Sequence, residues 1–304
     1  MPWTSPFSLP GYWFKGNLHC HTTQSDGLAT PEESVRWYSE RGYDFIAITD
    51  HWVLTHGCPE PAGAPGGSFI TITGTELHGE GYHMLALGLS ALPDDALADS
   101  PCEIAAAVRA TGGIAFAAHP YWTGQSSADV AAMTDIAGVE VFNAVCEKMD
   151  GLGYARVHWD DLLSQGRRLT GLSVDDTHWR HGSHGTGYVM VRAAALTEAA
   201  ILEAISAGHF YSSTGPTIQD LRVVSLPNGK PALKVCCSPC ATVTFYAQGP
   251  KGRRYTAPAG EALHAAVMPL RKEQVFVRVE CQDAAGCIAW SNAVMLEDLP
   301  EVSS

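Results

Sequence analysis

The segment Asn17-Leu18-His19-Cys20-His21 sets two imidazoles two residues apart. In extended chain, side chains at i and i+2 point to one face, so both rings can reach a single ion. Further candidates follow in order: Asp26 in Ser25-Asp26-Gly27, His51 in Thr49-Asp50-His51, Glu76 in Gly74-Thr75-Glu76, His119, and the pair Asp176 and His178 in Asp175-Asp176-Thr177-His178. Nitrogen and oxygen donors without a thiolate suit borderline or hard divalent ions such as Zn²⁺, Mn²⁺ or Fe²⁺. These donors exceed the four of a closed structural zinc, so the set implies two or three ions. Each residue has an ordinary alternative, since a histidine can hydrogen-bond a carbonyl and Asp-Gly usually marks a turn. Their shared position separates them from that background.

Every one of these residues is expected just past the C-terminal end of a strand. The apolar runs that read as strands cover 44–48, 69–73, 84–87, 114–118, 139–142 and 169–174. They are nearly continuous in apolar residues, as strands buried on both faces should be. Between them, Thr30-Pro31-Glu32-Glu33 and Ser100-Pro101-Cys102-Glu103 each read as an N-cap, a first-turn proline and a glutamate closing a capping box. A helix over 197–207 should stop at Gly208. Such alternation predicts an α/β fold with a parallel sheet, open or closed into a barrel, and loops at the C-terminal ends of barrel strands converge on an active site. After about Thr217 the helical period is lost. Strands are expected over 221–226, 232–236, 242–247, 274–281, 287–290 and 293–296, with turns such as Pro227-Asn228-Gly229-Lys230-Pro231 between them. The expected division is therefore 1–216 for the α/β part and 217–304 for a small, antiparallel, sandwich-like β domain.

Composition narrows the function classes. The 304 residues carry 19 Lys and Arg against 32 Asp and Glu, a formal net charge of −13. A surface that acidic repels phosphate backbones, so nucleic acid and anionic membranes are not expected as partners. No apolar run approaches the roughly 20 residues of a spanning helix, and the N-terminus lacks the basic and apolar regions of a secretory signal. Nine cysteines, an odd number without paired spacing, point to reduced thiols and a cytoplasmic chain. Cys236, Cys237 and Cys240 contain a CxxC, but with Cys281 and Cys287 they make no standard zinc spacing. They read as strand-face thiols acting as small hydrophobes.

The ordered pattern of His19-Cys-His21, Ser-Asp26-Gly, Thr-Asp-His51, Glu76, His119-Pro120 and Asp176-Thr-His178 resembles the PHP (polymerase and histidinol phosphatase) superfamily over about residues 13–216. Residues 15–21, 210–216 and the β-rich tail are similar to its branch of carbaryl hydrolase and microcin-maturation proteins. The resemblance implies a distorted seven-stranded, TIM-like β/α barrel with a two- or three-metal site. It implies that His19, His21 and Asp176 share one ion with Glu76, and that Glu76 bridges to an ion held by His119. Asp26, His51 and His178 would hold a third ion or complete the pair. Where trinuclear members supply another His or Cys, this chain has Glu140-Val141-Phe142-Asn143, with Cys146 further on. Two ions are therefore expected rather than three.

Other residues take supporting parts. His83 and Asn143 are candidates for lining the pocket or orienting substrate. Arg180, His181 and His184 follow the last motif on a glycine-rich loop, Arg180 as an anion contact and the two histidines as proton donors. With Asp176 and His178 as ligands, those histidines complete the candidate catalytic set. Asp50 and Asp175 are expected to orient ligand imidazoles. Arg167 and Arg168 are expected to cap the preceding helix. Two ions about 3.5–4 Å apart can share a water and lower its pKa toward about 7. The expected function is a metal-dependent phosphoesterase acting on a small phosphate ester. A carbamate, amide or ester hydrolase with the same site is the alternative, and a metal-stabilised scaffold is the non-enzymatic one. The sequence leaves the oligomeric state open.

Overall fold

The computed structural model describes residues 3–58 and 69–299. Short apolar runs form the strands of the first part: β1 (Tyr12–Asn17), β2 (Phe45–Ile48), β3 (Ile70–Gly79), β4 (Tyr82–Leu87), β5 (Ile114–Ala118), β6 (Ile136–Asn143), β7 (Thr170–Val174), β8 (Tyr188–Ala193) and β9 (Phe210–Ser213). The helices are α1 (Pro31–Ser39), α2 (Pro101–Ala110), α3 (Ser127–Ala132), α4 (Ala144–Asp150), α5 (Arg156–Ser164) and α6 (Glu198–Ser206). The capping box of α1 forms as expected between Thr30 and Glu33. Ser100 of α2 makes no side-chain cap, so the second box is not built. Thr197 caps α6, and Gly208 follows its end with φ +72°.

The sheet is mixed, which corrects the expectation of a parallel one. Strands β1, β2 and β3 run parallel, as do β5, β6 and β7. β4 is antiparallel to both β3 and β5, and β8 is antiparallel to β1. The cause lies in β3, which runs on to Gly79 and turns through Glu80-Gly81 straight into β4 with no helix between. Nor is the sheet a closed TIM-like barrel. Among the described residues its path ends at β7, with no ladder back to β1 or β8. Serines bridge the seam instead. Ser212 Oγ donates to the Gly171 carbonyl (2.7 Å) and accepts from Ser173 N–H (3.0 Å), while Ser173 Oγ donates to the Ser213 carbonyl (3.1 Å).

The tail supplies β10 (Ile218–Ser225), β11 (Pro231–Cys240), β12 (Thr242–Tyr246), β13 (Arg253–Thr256), β14 (Leu263–Pro269), β15 (Phe276–Gln282), β16 (Ile288–Ser291) and β17 (Val294–Met295). β13 and β14 have no counterpart in the sequence reading. β10, β11 and β14 form a separate antiparallel sheet, whereas β12, β13, β15 and β16 extend the main sheet through β16–β9 pairing. Leu233, Val235, Val243, Phe245, Val277 and Val279 fill the layer between them. Arg278, fully buried on β15, forks onto Asp160 of α5 at 2.6 and 2.7 Å and reaches Glu280 at 2.7 Å. A buried guanidinium is tolerable when its donors are satisfied in this way.

Arg167 caps a helix, though not the one preceding it. Its guanidinium donates to the carbonyls of Val130, Ala131, Met133 and Thr134 at the end of α3, and Arg168 pairs with Glu297 and Asp298. Among the described residues no helix is long and apolar enough to cross a membrane.

Candidate metal centre

His19 and His21 follow β1, His51 follows β2, His119 follows β5, and Asp176 and His178 follow β7. Asp26 lies half-exposed in the segment before α1. Glu76 departs from expectation, because it sits within β3 rather than beyond it. The β3–β4 hairpin then places His83 opposite His78 and turns it toward Glu76. Four non-glycine residues among those described have left-handed φ: Trp52 (51°), His119 (27°), Asp176 (48°) and Trp179 (66°). Each is a candidate ligand or directly follows one, and backbone strain concentrated this way is characteristic of functional sites.

The innermost group is His19, His21, Glu76 and Asp176, all buried. His19 Nε2 lies 3.1 Å from His21 Nε2, 3.2 Å from Glu76 Oε2 and 3.3 Å from Asp176 Oδ1. His21 Nε2 lies 3.1 Å from both Glu76 Oε2 and Asp176 Oδ1. Donors held about 2.0–2.1 Å from a tetrahedral ion stand roughly 3.3–3.4 Å apart. These five separations are therefore close to the edges of one ion's coordination tetrahedron. Glu76 faces both ways. Its Oε2 also meets His51 Nδ1 at 3.3 Å, while Oε1 meets His83 Nδ1 at 2.8 Å and His119 Nε2 at 3.0 Å. A wider group surrounds Asp26, with His178 Nε2 at 3.4 Å, His21 Nδ1 at 3.7 Å and His51 Nε2 at 3.9 Å from its carboxylate.

The electrostatics show what this arrangement lacks. Glu76, Asp176 and Glu140 are buried carboxylates within one cluster. Burial opposes charge on His19, yet Asp176, Glu140 and Glu76 outweigh it and hold its pKa well above the ordinary value. His21 is likewise raised to about 9 against its burial, through Asp176 and Glu76. Protons thus take the place of the positive charge the carboxylates demand. At the outer edge burial prevails, lowering His51 to about 4 and lowering His178, which leaves neutral imidazoles suited to bind a cation. Asp176 Oδ1 is buried without a hydrogen-bond partner, as are His51 Nδ1 and His119 Nδ1. An orphaned carboxylate oxygen aimed between two imidazole nitrogens fits a divalent ion.

No family model matches the chain, and no curated protein matches it. Among solved structures, a two-domain protein from Bacteroides vulgatus containing a predicted PHP-like metal-dependent phosphoesterase superposes with a TM-score of 0.51. The identity is 16%, over 94% of this chain and 98% of that one. The fold is PHP-like. A protein from Bifidobacterium adolescentis, provisionally described as a metal-dependent phosphoesterase, gives a TM-score of 0.38 at 19% identity, covering 55% of this chain and 88% of that one.

Around this centre the supporting residues divide. Asn143 caps α4 and turns its amide onto Glu140 (2.9 Å) and Asp176 (3.0 Å), so it is buried within the site's frame. Asp50 and Asp175 touch no ligand imidazole, contrary to expectation. Asp50 holds Thr22 and Ser25. Asp175 accepts from Tyr38 Oη and from the N–H groups of Gly185, Thr186 and Gly187, which anchors the loop after His178. Arg180 and His181 line a cavity of 270 Å³ beside the centre, with Trp122, Val145, Cys146 and Met149 as its apolar side. Arg180 also donates to the Asp26 carbonyl. His184 is not brought to the cavity; it packs between Trp37 and Trp179, at 4.8 and 5.1 Å between ring centroids. Sequence reasoning missed Glu140, whose only signal is a charge inside the apolar run Val139-Glu140-Val141-Phe142.

Proposed function

We propose that the chain is a metal-dependent phosphoesterase acting on a small phosphate ester. The observation that carries this reading is the buried tetrad, whose five donor separations of 3.1–3.3 Å match one ion's coordination edges. His19, His21, Glu76 and Asp176 would hold a first divalent ion, of zinc, manganese or iron type, and Asp26, His51 and His178 a second. When bound, such ions lower the pKa of water toward about 7 and draw charge from a phosphoryl oxygen. Arg180, at the cavity's lip, binds the ester's anionic oxygens. His181, also on the cavity wall, supplies the leaving group's proton, a part His184 cannot take because it does not line the cavity. The phosphoesterase description of the Bacteroides protein supports the same substrate class. In this reading the unit that begins at residue 217, described to residue 299, is β-rich and braced on the α/β part through Arg278, and the nine free cysteines support a cytoplasmic setting.

A second reading, hydrolysis of a carbamate, amide or carboxylic ester, draws on the cavity's lining. Arg180 is the one Arg or Lys among its described lining residues, facing Trp122, Val145 and Met149. The likeness to the carbaryl-hydrolase branch points the same way. The test is a panel of phosphate monoesters beside carbamates and aryl esters, run on protein stripped of metal and reloaded with Mn²⁺ or Zn²⁺. Phosphate release supports the first reading, carbamate or ester turnover alone supports the second, and metal uptake with no turnover leaves the scaffold.

A further inference from the structure

Glu140 is fully buried on β6 and its carboxylate receives three donors. His19 Nδ1 lies 2.6 Å from Oε1, while the His119 N–H and Asn143 Nδ2 each reach Oε2 at 2.9 Å. All three belong to the centre: two are candidate ligands, and Asn143 holds Asp176 at 3.0 Å. We infer that Glu140 is a positioning residue that fixes which nitrogen of His19 faces the cation. This rests on the metal-centre reading above. By accepting the Nδ1 proton, Glu140 leaves Nε2 as the lone-pair nitrogen, the one that lies among His21, Glu76 and Asp176. Its other oxygen holds the His119 backbone at its left-handed φ of 27°, and so sets the ring whose Nε2 meets Glu76.

The donor count makes the inference sharp, because only a carboxylate accepts on both sides. A glutamine here has one oxygen and one NH₂ group. With its oxygen toward His119 and Asn143, the NH₂ faces His19 Nδ1 and requires it to accept. The proton then moves to Nε2 and blocks the nitrogen meant for the ion. The opposite flip sets the NH₂ against two donors, a worse mismatch around a fully buried side chain. The isosteric variant should therefore keep its shape and lose its grip on the cation.

The experiment compares zinc affinity of wild type and Glu140→Gln by competition with a chromophoric chelator, with melting of both metal-free proteins as a fold control. The tightest site should weaken about 10- to 100-fold, as for other partners that orient a ligand histidine, with the metal-free variant still melting in one cooperative transition. Equal zinc affinity overturns the inference. A second measurement needs no variant: nitrogen-15 NMR of histidine in zinc-loaded wild type should show His19 protonated at Nδ1 and metallated at Nε2, and the reverse assignment overturns it. If wild type takes up no zinc at all, the metal-centre reading fails and the inference falls with it.

Discussion

Two clusters of ligand-type side chains are buried in this molecule, and they are built differently. At the rim of the first part, imidazoles and carboxylates from several strands approach one another to 2.6–3.9 Å, on backbone that turns left-handed at His119 and Asp176. In the tail, Cys237, Cys240 and Cys281 also touch one another, yet they stand on β11 and β15 in a layer of Leu233, Val235, Val279 and Phe245. Contacts with Cys237 and Cys240, together with burial, push the Cys281 thiol well above its ordinary pKa, so it stays neutral, and Cys237 is raised to about 12, while hydrogen bonds from both lower Cys240 to about 4. The two neutral thiols satisfy the third by donating to it and themselves need no counter-charge among apolar side chains. Buried carboxylates do, and several kcal/mol of desolvation per ion must be offset by protons or by metal. Identity of residue type is therefore a poor guide to a metal site; unmet charge on strained backbone is a better one.

The most severe way to break this contrast is to remove a ligand on the rim. His19→Ala or Asp176→Ala should lower turnover more than about 100-fold, beyond the loss typical of an outer partner. The metal-free variants should still melt cooperatively, His19→Ala at a lower temperature because it removes a proton that offsets the buried carboxylates. Wild-type turnover in either variant would erase the distinction between the clusters. Metal loading sharpens it next. Zinc at about 100 times its dissociation constant should add about 2.7 kcal/mol of stability, and uptake at neutral pH should release protons from His19 and His21, measurable in weak buffer.

The same titration fixes a pH signature. His21 is raised from 6.5 to about 9, so its charged form stabilises the metal-free fold fully below pH 6.5, and that contribution is lost as pH rises through about 9. Metal-free protein should therefore melt at lower temperature as pH increases across this window. The zinc-loaded form should instead weaken on acidification, as protons compete for its ligands. Parallel melting profiles for the two forms would contradict the assignment.

Smaller effects follow. Arg180→Ala should raise KM for a phosphate ester about tenfold, the equivalent of one charge-assisted contact, and an unchanged KM removes Arg180 from the substrate. On the thiol side, Cys240→Ala should cost about 1 kcal/mol of stability and alter neither metal content nor turnover. Loss of bound metal in that variant would put the two clusters on the same footing.

Much of the rim was legible because strand ends are. A run such as Ile114-Ala115-Phe116-Ala117-Ala118 announces a buried strand, and the histidine after it must emerge at the sheet's edge. Glu76 reads as a donor past a strand end, but Gly79-Glu80-Gly81 is a hairpin turn that carries β3 beyond Glu76 and reverses β4. The open seam at β7 depends on Ser173 and Ser212, whose hydroxyls carry no periodic signal. Glu140 and Asp175 are harder still. Their roles lie in how many donors converge on one carboxylate, from residues as distant as His19 and Tyr38, and spacing along the chain does not encode that convergence.

The central claim is that a cation belongs among His19, His21, Glu76 and Asp176. Zinc-soaked crystals of the full chain, measured on both sides of the zinc absorption edge, test it most directly. The account predicts an anomalous peak within bonding distance of both Nε2 atoms, Glu76 Oε2 and Asp176 Oδ1. A map with no peak there, from crystals that show zinc elsewhere or not at all, would contradict it.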